Sequence, residues 1–191
     1  MKERVLEVFQ VELNTKRMTL RSITCDDAEI VLDYISRNRK FLSEWEPFKD
    51  QEFYKIGNVK KMIIAQENEM LINKSWYFYA FLKENGRLIG NINITNIVLG
   101  PFLSCYLGYK LDYECINKGY MTEAVKEIIH FCFNVLKLHR IEANVIPRNI
   151  PSKRVLEKLN FESEGISKKY LKINNKWEDH EHYVLLNSAI E

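Results

Sequence analysis

Ile116-Asn117-Lys118-Gly119-Tyr120-Met121-Thr122-Glu123-Ala124-Val125 joins a strand-like run ending at Leu111 to an amphipathic run with helical spacing. A glycine at such a junction lets backbone N–H groups come close to a ligand. The first-turn N–H groups of a helix lack internal partners, and the macrodipole adds partial positive charge there. Together these make an anion site, with phosphate its usual occupant. An ordinary strand-to-helix turn is the other reading of this stretch alone, so its neighbours must decide.

Downstream, Ala124, Val125, Ile128, Ile129, Cys132, Val135 and Leu136 form a wide apolar helical stripe. Residues 139–146 alternate as a strand, with Ile141, Ala143 and Val145 on one face and Glu142, Asn144 and Ile146 on the other. Strand, helix and strand in this succession predict a βαβ unit with two parallel strands and a right-handed crossover. Pro147-Arg148-Asn149-Ile150-Pro151 opens another helix, which buries Val155, Leu156 and Leu159 and ends at Asn160, a residue that tolerates the left-handed cap position. Two closing strands follow around Asn174-Asn175.

Upstream, the pattern predicts a first strand over 18–23. Thr24 and Asp27 make a capping box for a helix carrying Ala28, Val31, Leu32 and Ile35. After the aromatic, irregular segment 41–48, Asn58 is the expected cap of a second helix with Val59, Met62, Ile63, Gln66 and Met70 on one face. Residues 76–84 are strongly β-prone and lead into Asn85-Gly86, the strongest short hairpin signal. On the return strand Leu88, Ile92 and Ile94 are expected to point one way, with Asn91, Asn93 and Thr95 opposite. A third strand alternates through Leu103, Cys105, Leu107, Tyr109 and Leu111, and Gly108 within it signals a bulge or a close backbone approach.

The chain has 191 residues, of which 46% are hydrophobic and 12% aromatic, enough for one globular domain over residues 1–191. A net charge of +2 with interspersed signs gives no pointer to nucleic acid or to an anionic membrane. No apolar run is long enough to span a bilayer, and Met1-Lys2-Glu3-Arg4 has no leader-like segment behind it, so the expected location is the cytoplasm. Cys25, Cys105, Cys115 and Cys132 form no CxxC pair and read as free thiols. His130, His139, His180 and His182 form no HExxH-type pair, so no metal is expected.

The predicted order β-α-α-β-β-β-α-β-α-β-β, with the glycine loop at the exit of its fourth strand, resembles the GNAT acyltransferase fold. The family's cofactor loop, Gln/Arg-x-x-Gly-x-Gly/Ala, corresponds to Ile116 through Met121, where only Gly119 matches strictly. The wider likeness is to the RimJ/RimL branch, which contains ribosomal-protein N-terminal acetyltransferases. It is carried by Cys105-Tyr106-Leu107-Gly108-Tyr109, by Lys118 through Ala124, by Leu138-His139-Arg140-Ile141-Glu142-Ala143-Asn144, by Val155 through Phe161, and by Tyr170 through His180. The implied fold class is α/β: a mostly antiparallel mixed sheet with one splayed parallel strand pair and helices on both faces.

The resemblance also implies acetyl-CoA as co-substrate. Its pyrophosphate would meet Ile116, Asn117, Lys118, Gly119, Tyr120, Met121 and Thr122, and its pantetheine arm would pair with backbone near Leu111 and contact Asn149. Arg154 is positioned for a cofactor phosphate or for solvent. The family's usual acid, a tyrosine in the helix after the fifth strand of the predicted order, falls at Leu156, so it is absent, and Ser152 is the branch's alternative sulfur donor. The branch's base position, before the tyrosine of the sixth predicted strand, is Lys169, which cannot serve while protonated. Glu142 is the substitute, a partly buried glutamate expected to have a raised pKa, or else a structural partner of Arg140. Trp45, Glu46, Tyr106 and Tyr170 are expected at the acceptor, with Glu44 and Glu46 available to attract a cationic amine. Asp179-His180 reads as part of a strand motif.

These features point to acetyl transfer onto a primary amine, foremost the N-terminal α-amine of a protein such as a ribosomal protein. A small amine acceptor (polyamine, amino acid or aminoglycoside) and a non-catalytic acetyl-CoA-binding module are the competing readings. Homodimers are common in the family.

Overall fold

A computed structural model describes residues 11–190. The segment Met1-Lys2-Glu3-Arg4, on which the leader reading rests, lies outside them. The elements in chain order are β1 (Glu12–Asn14), β2 (Met18–Arg21), α1 (Ala28–Arg37), a short α2 (Arg39–Leu42), α3 (Ile56–Leu71), β3 (Trp76–Leu82), β4 (Leu88–Val98), β5 (Ser104–Leu111), α4 (Tyr120–His130), β6 (Arg140–Val145), α5 (Ile150–Lys158), β7 (Glu162–Ile173) and β8 (Lys176–Leu186). They form one eight-stranded sheet of order β1-β2-β3-β4-β5-β6-β8-β7. Every neighbouring pair is antiparallel except β5 with β6. This is the expected mixed sheet, extended by β1, too short to carry a pattern of its own.

Each face of the sheet buries its own core. On one, Met18, Leu20, Phe78, Ile92, Ile94 and Ile141 pack with Ala124, Val125 and Ile128 of α4 and Leu156 of α5. On the other, Tyr79, Phe81 and Leu88 pack with Val31 and Tyr34 of α1 and Val59 and Ile63 of α3. β3 is therefore buried almost throughout, which explains its near-continuous apolar run.

The expected capping box is present: Thr24 accepts from the Asp26 amide, and Asp27 accepts from the Thr24 amide. The Asn85-Gly86 hairpin forms, with Gly86 at φ 70°. Asn160, Asn174 and Asn175 take left-handed conformations at the helix end and the last hairpin.

Four local expectations change. Leu88 faces away from Ile92, because the β3–β4 register slips between the pairs Ala80–Gly90 and Phe81–Leu88 and a one-residue slip reverses the face. The irregularity between β4 and β5 lies at Thr95–Val98, while Gly108 pairs regularly with Asn93. Val135 is 60% exposed, because α4 ends in a wider π turn over Phe131–Val135 that shifts the phase of the apolar stripe. The α3 helix starts at Ile56, before Asn58, whose side chain instead donates to the Glu52 carbonyl.

Candidate active site

The parallel pair opens partway along its length. Ser104, Cys105 and Tyr106 pair with Arg140, Ile141 and Glu142, and no β5–β6 pair follows, although β5 runs on to Leu111 and β6 to Val145. On its other edge β5 stays paired with β4 as far as Leu111 opposite Gly90. Backbone groups of β5 beyond Tyr106 therefore border a gap, as expected of a splayed pair. One side-chain bridge crosses from β5 to α5: the Tyr109 hydroxyl lies 3.0 Å from the Ser152 carbonyl and 2.9 Å from Ser152 Oγ. Burial pushes the Tyr109 phenol well up, so it keeps its proton.

The glycine loop lies beyond the end of β5 and is held from two directions. The fully buried Asp112 carboxylate accepts from Arg37 Nε at 2.8 Å, from Arg87 at 3.0 Å and from the Glu114 amide at 3.0 Å. Asn38 accepts from the Tyr113 amide at 3.0 Å. From the β1–β2 connection, Arg17 donates to Glu123 at 2.6 Å and to the Lys118 carbonyl at 2.9 Å, and its guanidinium lies 4.1 Å above the Tyr120 ring. Glu123 also accepts the Arg17 amide at 2.8 Å. Sequence reasoning missed this clamp, because nothing local marks a contact across 106 positions.

Asn117 and Gly119 are left-handed at φ 59° and 77°. Gly119 caps α4 with no side-chain hydrogen bond, so the first-turn amides remain open to an anion. Ile116, Asn117 and Lys118 are exposed, and Thr122 is half-buried. The Met121 side chain is buried in the core, so only its backbone faces the loop. Asn149 caps α5 by accepting from the Ser152 amide at 3.2 Å, and Arg154 is exposed on that helix.

On the α1/α3 face lies a cavity of about 720 Å³. Aromatic rings of Tyr34, Phe53, Tyr54 and Tyr79 line it, as do Asn91 and Asn93 of β4 and Lys110 of β5, so it borders the stretch where β5 has left β6. Glu46 is in its wall but is not a free acidic attractor. Lys49 and Lys110 both engage its carboxylate. Burial raises the carboxyl, and the two ammonium groups outweigh that and hold it below its ordinary value. Trp45 does not line this cavity; its ring lies 5.4 Å from the Arg148 guanidinium.

Glu142 also departs from expectation. Burial pushes its carboxyl up, but hydrogen bonds from His182, Arg140 and Asn144 and the charge of Arg140 leave it below its ordinary value. Its Oε1 lies 3.0 Å from His182 Nδ1 and its Oε2 lies 3.2 Å from Arg140. A carboxylate only accepts, so Nδ1 carries the hydrogen. His182 Nε2 is buried and has no hydrogen-bond partner among the described residues. His182 pairs across β8 with Asn144 and so shares the Glu142 face. Its role was not anticipated from the sequence.

Tyr170 is turned toward this group, its ring 4.9 Å from the His182 ring and its hydroxyl 3.4 Å from the Asn144 amide. A register slip between Ser167 and Leu171, with Lys169 at φ 51°, re-aims the strand there. Tyr106, partly exposed, lines a smaller hollow with Glu142 and Arg140. Asp179 accepts from the Lys169 amide, and His180 bonds the Glu178 carbonyl, so both serve the strands locally. Cys115 is buried, and burial and Asp112 raise its thiol, which leaves it unreactive.

A mixed sheet that parts at its parallel pair, above an open helix start, is the framework of an acetyl-CoA-dependent acyltransferase of the GNAT kind. The chain belongs to that family: residues 17–162 match the acetyltransferase (GNAT) domain. Within it, the chain is a RimJ/RimL-like N-acetyltransferase. It is 38% identical over 175 residues to the probable N-acetyltransferase YjcK of Bacillus subtilis (strain 168), covering 92% of this chain and 97% of that one. It is 36% identical over 174 residues to the [ribosomal protein uS5]-alanine N-acetyltransferase of Escherichia coli (strain K12), covering 91% and 89%. The crystal structure of ribosomal-protein-S5-alanine acetyltransferase from Vibrio fischeri superposes with a TM-score of 0.90 at 35% identity, covering 95% of this chain and 100% of that one. Mycobacterium smegmatis RimJ in complex with CoA-disulfide gives a TM-score of 0.90 at 25% identity, covering 96% and 90%.

Proposed function

We propose that the protein transfers the acetyl group of acetyl-CoA to the N-terminal α-amine of a protein, a ribosomal protein foremost, as a single-domain enzyme of the cytoplasm. The observation that carries this reading is the wide cavity beside the freed stretch of β5, on the face opposite α4 and α5. Its volume suits the end of a peptide chain, and the likeness to a uS5-alanine N-acetyltransferase supports that acceptor.

The residues fit the co-substrate. The first-turn amides of α4 and the left-handed Gly119 suit a pyrophosphate, with Asn117 and Lys118 flanking it and Arg154 available for a further phosphate. The unpaired edge of β5 up to Leu111 suits the amides of a pantetheine arm, with Asn149 across the gap. When bound, acetyl-CoA supplies an activated acetyl thioester.

The acceptor ammonium must lose a proton before it can attack. We assign that proton to His182 Nε2, with Glu142 holding the ring through Nδ1 and stabilising it once charged. The departing sulfur needs a proton, assigned to Ser152 Oγ, which the Tyr109 hydroxyl holds at 2.9 Å; the second proton, shed by the acceptor nitrogen as the amide forms, restores the serine, so Tyr109 keeps its own. Tyr106 and Tyr170 flank the acceptor side.

A thiol-release assay with labelled acetyl-CoA tests the reading across peptides, polyamines, amino acids and aminoglycosides. Faster turnover of peptides is expected. Turnover of polyamines or aminoglycosides with none of peptides would refute it.

A further inference from the structure

The acceptor cavity carries an excess of positive charge. Arg37, Arg39, Lys40, Lys49 and Lys110 line it, against a single carboxylate, Glu46. Arg37 is neutralised by Asp33 and by the buried Asp112. Lys49 and Lys110 share Glu46, a residue 7% exposed, so two ammonium groups meet one negative charge in a partly desolvated wall. Burial and the neighbouring Lys110 lower the Lys49 pKa, and the partial relief from Glu46 does not restore it. Arg39 lies over the Tyr54 ring at 4.4 Å, and neither it nor Lys40 has an ion-pair partner among the described residues. Tyr34, 1% exposed, belongs to the same wall, and its hydroxyl has no hydrogen-bond partner among the described residues.

A cation entering this space meets like charge. A carboxylate meets an ammonium left over by Glu46 and, on the Tyr54 ring, a guanidinium that no carboxylate among the described residues engages. Hydrogen bonds to a charged group in such a setting are among the stronger ones available.

We propose that the cavity is a carboxylate subsite, selecting an acceptor whose reactive amine is accompanied by an aliphatic carboxylate. That carboxylate is either an acidic side chain within the first residues of a peptide or the carboxylate of an amino acid. The proposal rests on the acceptor-cavity assignment made above, and it sets polyamines aside.

The test compares matched alanine-initiated peptides that carry Glu or Gln at the second, third or fourth position, free alanine and glutamate, and spermidine. Turnover is read by thiol release. Binding is read by calorimetry on protein saturated with coenzyme A, which reports on the subsite even if no peptide is turned over. The acidic peptide is expected to be preferred over its glutamine twin by about tenfold in KM or Kd at one of the positions, with spermidine the poorest ligand. In Lys49→Met, which leaves Lys110 alone on Glu46, that acid-to-amide ratio collapses toward unity. Preference for free glutamate over every peptide would assign the carboxylate to an amino acid and refute the protein-terminus reading while the subsite stood. Equal use of both peptides at all three positions, or tighter binding of spermidine, would overturn the subsite. If neutral peptides were acetylated as well as acidic ones, peptide N-acetylation would survive that loss.

Discussion

His182 Nδ1 and Glu142 Oε1 lie 3.0 Å apart on the same face of β8 and β6, beside the last pair that joins β5 to β6. Because the carboxylate fixes the hydrogen on Nδ1, the lone pair of a neutral ring is left at Nε2, where an acceptor amine can be deprotonated directly or through a water.

That assignment predicts unequal losses. His182→Ala lowers kcat by about 100-fold, the contribution expected of a positioned general base. Glu142→Gln lowers it less, by about tenfold, since it orients the ring and stabilises its charge but takes no proton from the amine. Steady-state kinetics of the two variants distinguishes this from direct action of Glu142, in which Glu142→Gln would be the more damaging change.

Ser152 and Tyr109 form the second pair. Ser152→Ala removes the hydroxyl assigned to the sulfur and is expected to lower kcat by about 10- to 100-fold with little change in acetyl-CoA binding. Tyr109→Phe removes only the hydrogen bond that orients the serine hydroxyl, so its effect is smaller. Single-turnover acetyl transfer beside coenzyme A binding separates the two quantities.

Arg17 tests the cofactor loop without touching the proposed chemistry. It ties the Lys118 carbonyl, the Tyr120 ring and Glu123 to the β1–β2 connection. Arg17→Ala is expected to loosen the α4 start and raise KM for acetyl-CoA by about tenfold, ~1.4 kcal/mol of binding, with kcat at saturation nearly kept. A loss of kcat with KM unchanged would place Arg17's influence elsewhere.

Acid should unfold the protein early. The Asp112, Glu46 and Glu142 carboxyls are each held below their ordinary values: burial opposes this, but the Glu114 amide with Arg37, the lysines at Glu46, and His182 with Arg140 respectively prevail. A lowered folded-state pKa gives stability that is present above the unfolded value and lost as the pH falls through that value toward the folded one. The melting temperature should therefore decline below about pH 5. Asp112→Asn should cost about 3 kcal/mol at neutral pH, since it leaves Arg37 and Arg87 without their buried counter-charge. Its melting curve should also respond less to acid than the wild type's. Calorimetric scans of both proteins over pH measure this.

Much of the framework was legible because its signals are local. Asn85-Gly86 announced a hairpin, Thr24 with Asp27 a helix start, and the strand-helix-strand run around Gly119 the parallel pair β5–β6. What escaped depends on partners distant in sequence. Leu88 changes face because of a slip in register with β3, which its own alternation does not reveal. Val135 turns outward because α4 closes with a π turn. Glu46 reads as an acidic lure until Lys110 arrives from β5. Glu142 reads as a base with a raised pKa until β8 brings His182 beside it, and Arg17 has no local pattern at all. The cofactor loop was thus readable from a glycine and its helix, whereas the acceptor side was assembled by the sheet.

The most direct test of the central claim is tandem mass spectrometry of an alanine-initiated peptide that also contains an internal lysine, after incubation with labelled acetyl-CoA and the protein. The predicted product carries one label, on the α-amine of the first residue. Label on the lysine side chain alone, or label found only on a small amine competing in the same mixture, would contradict the account.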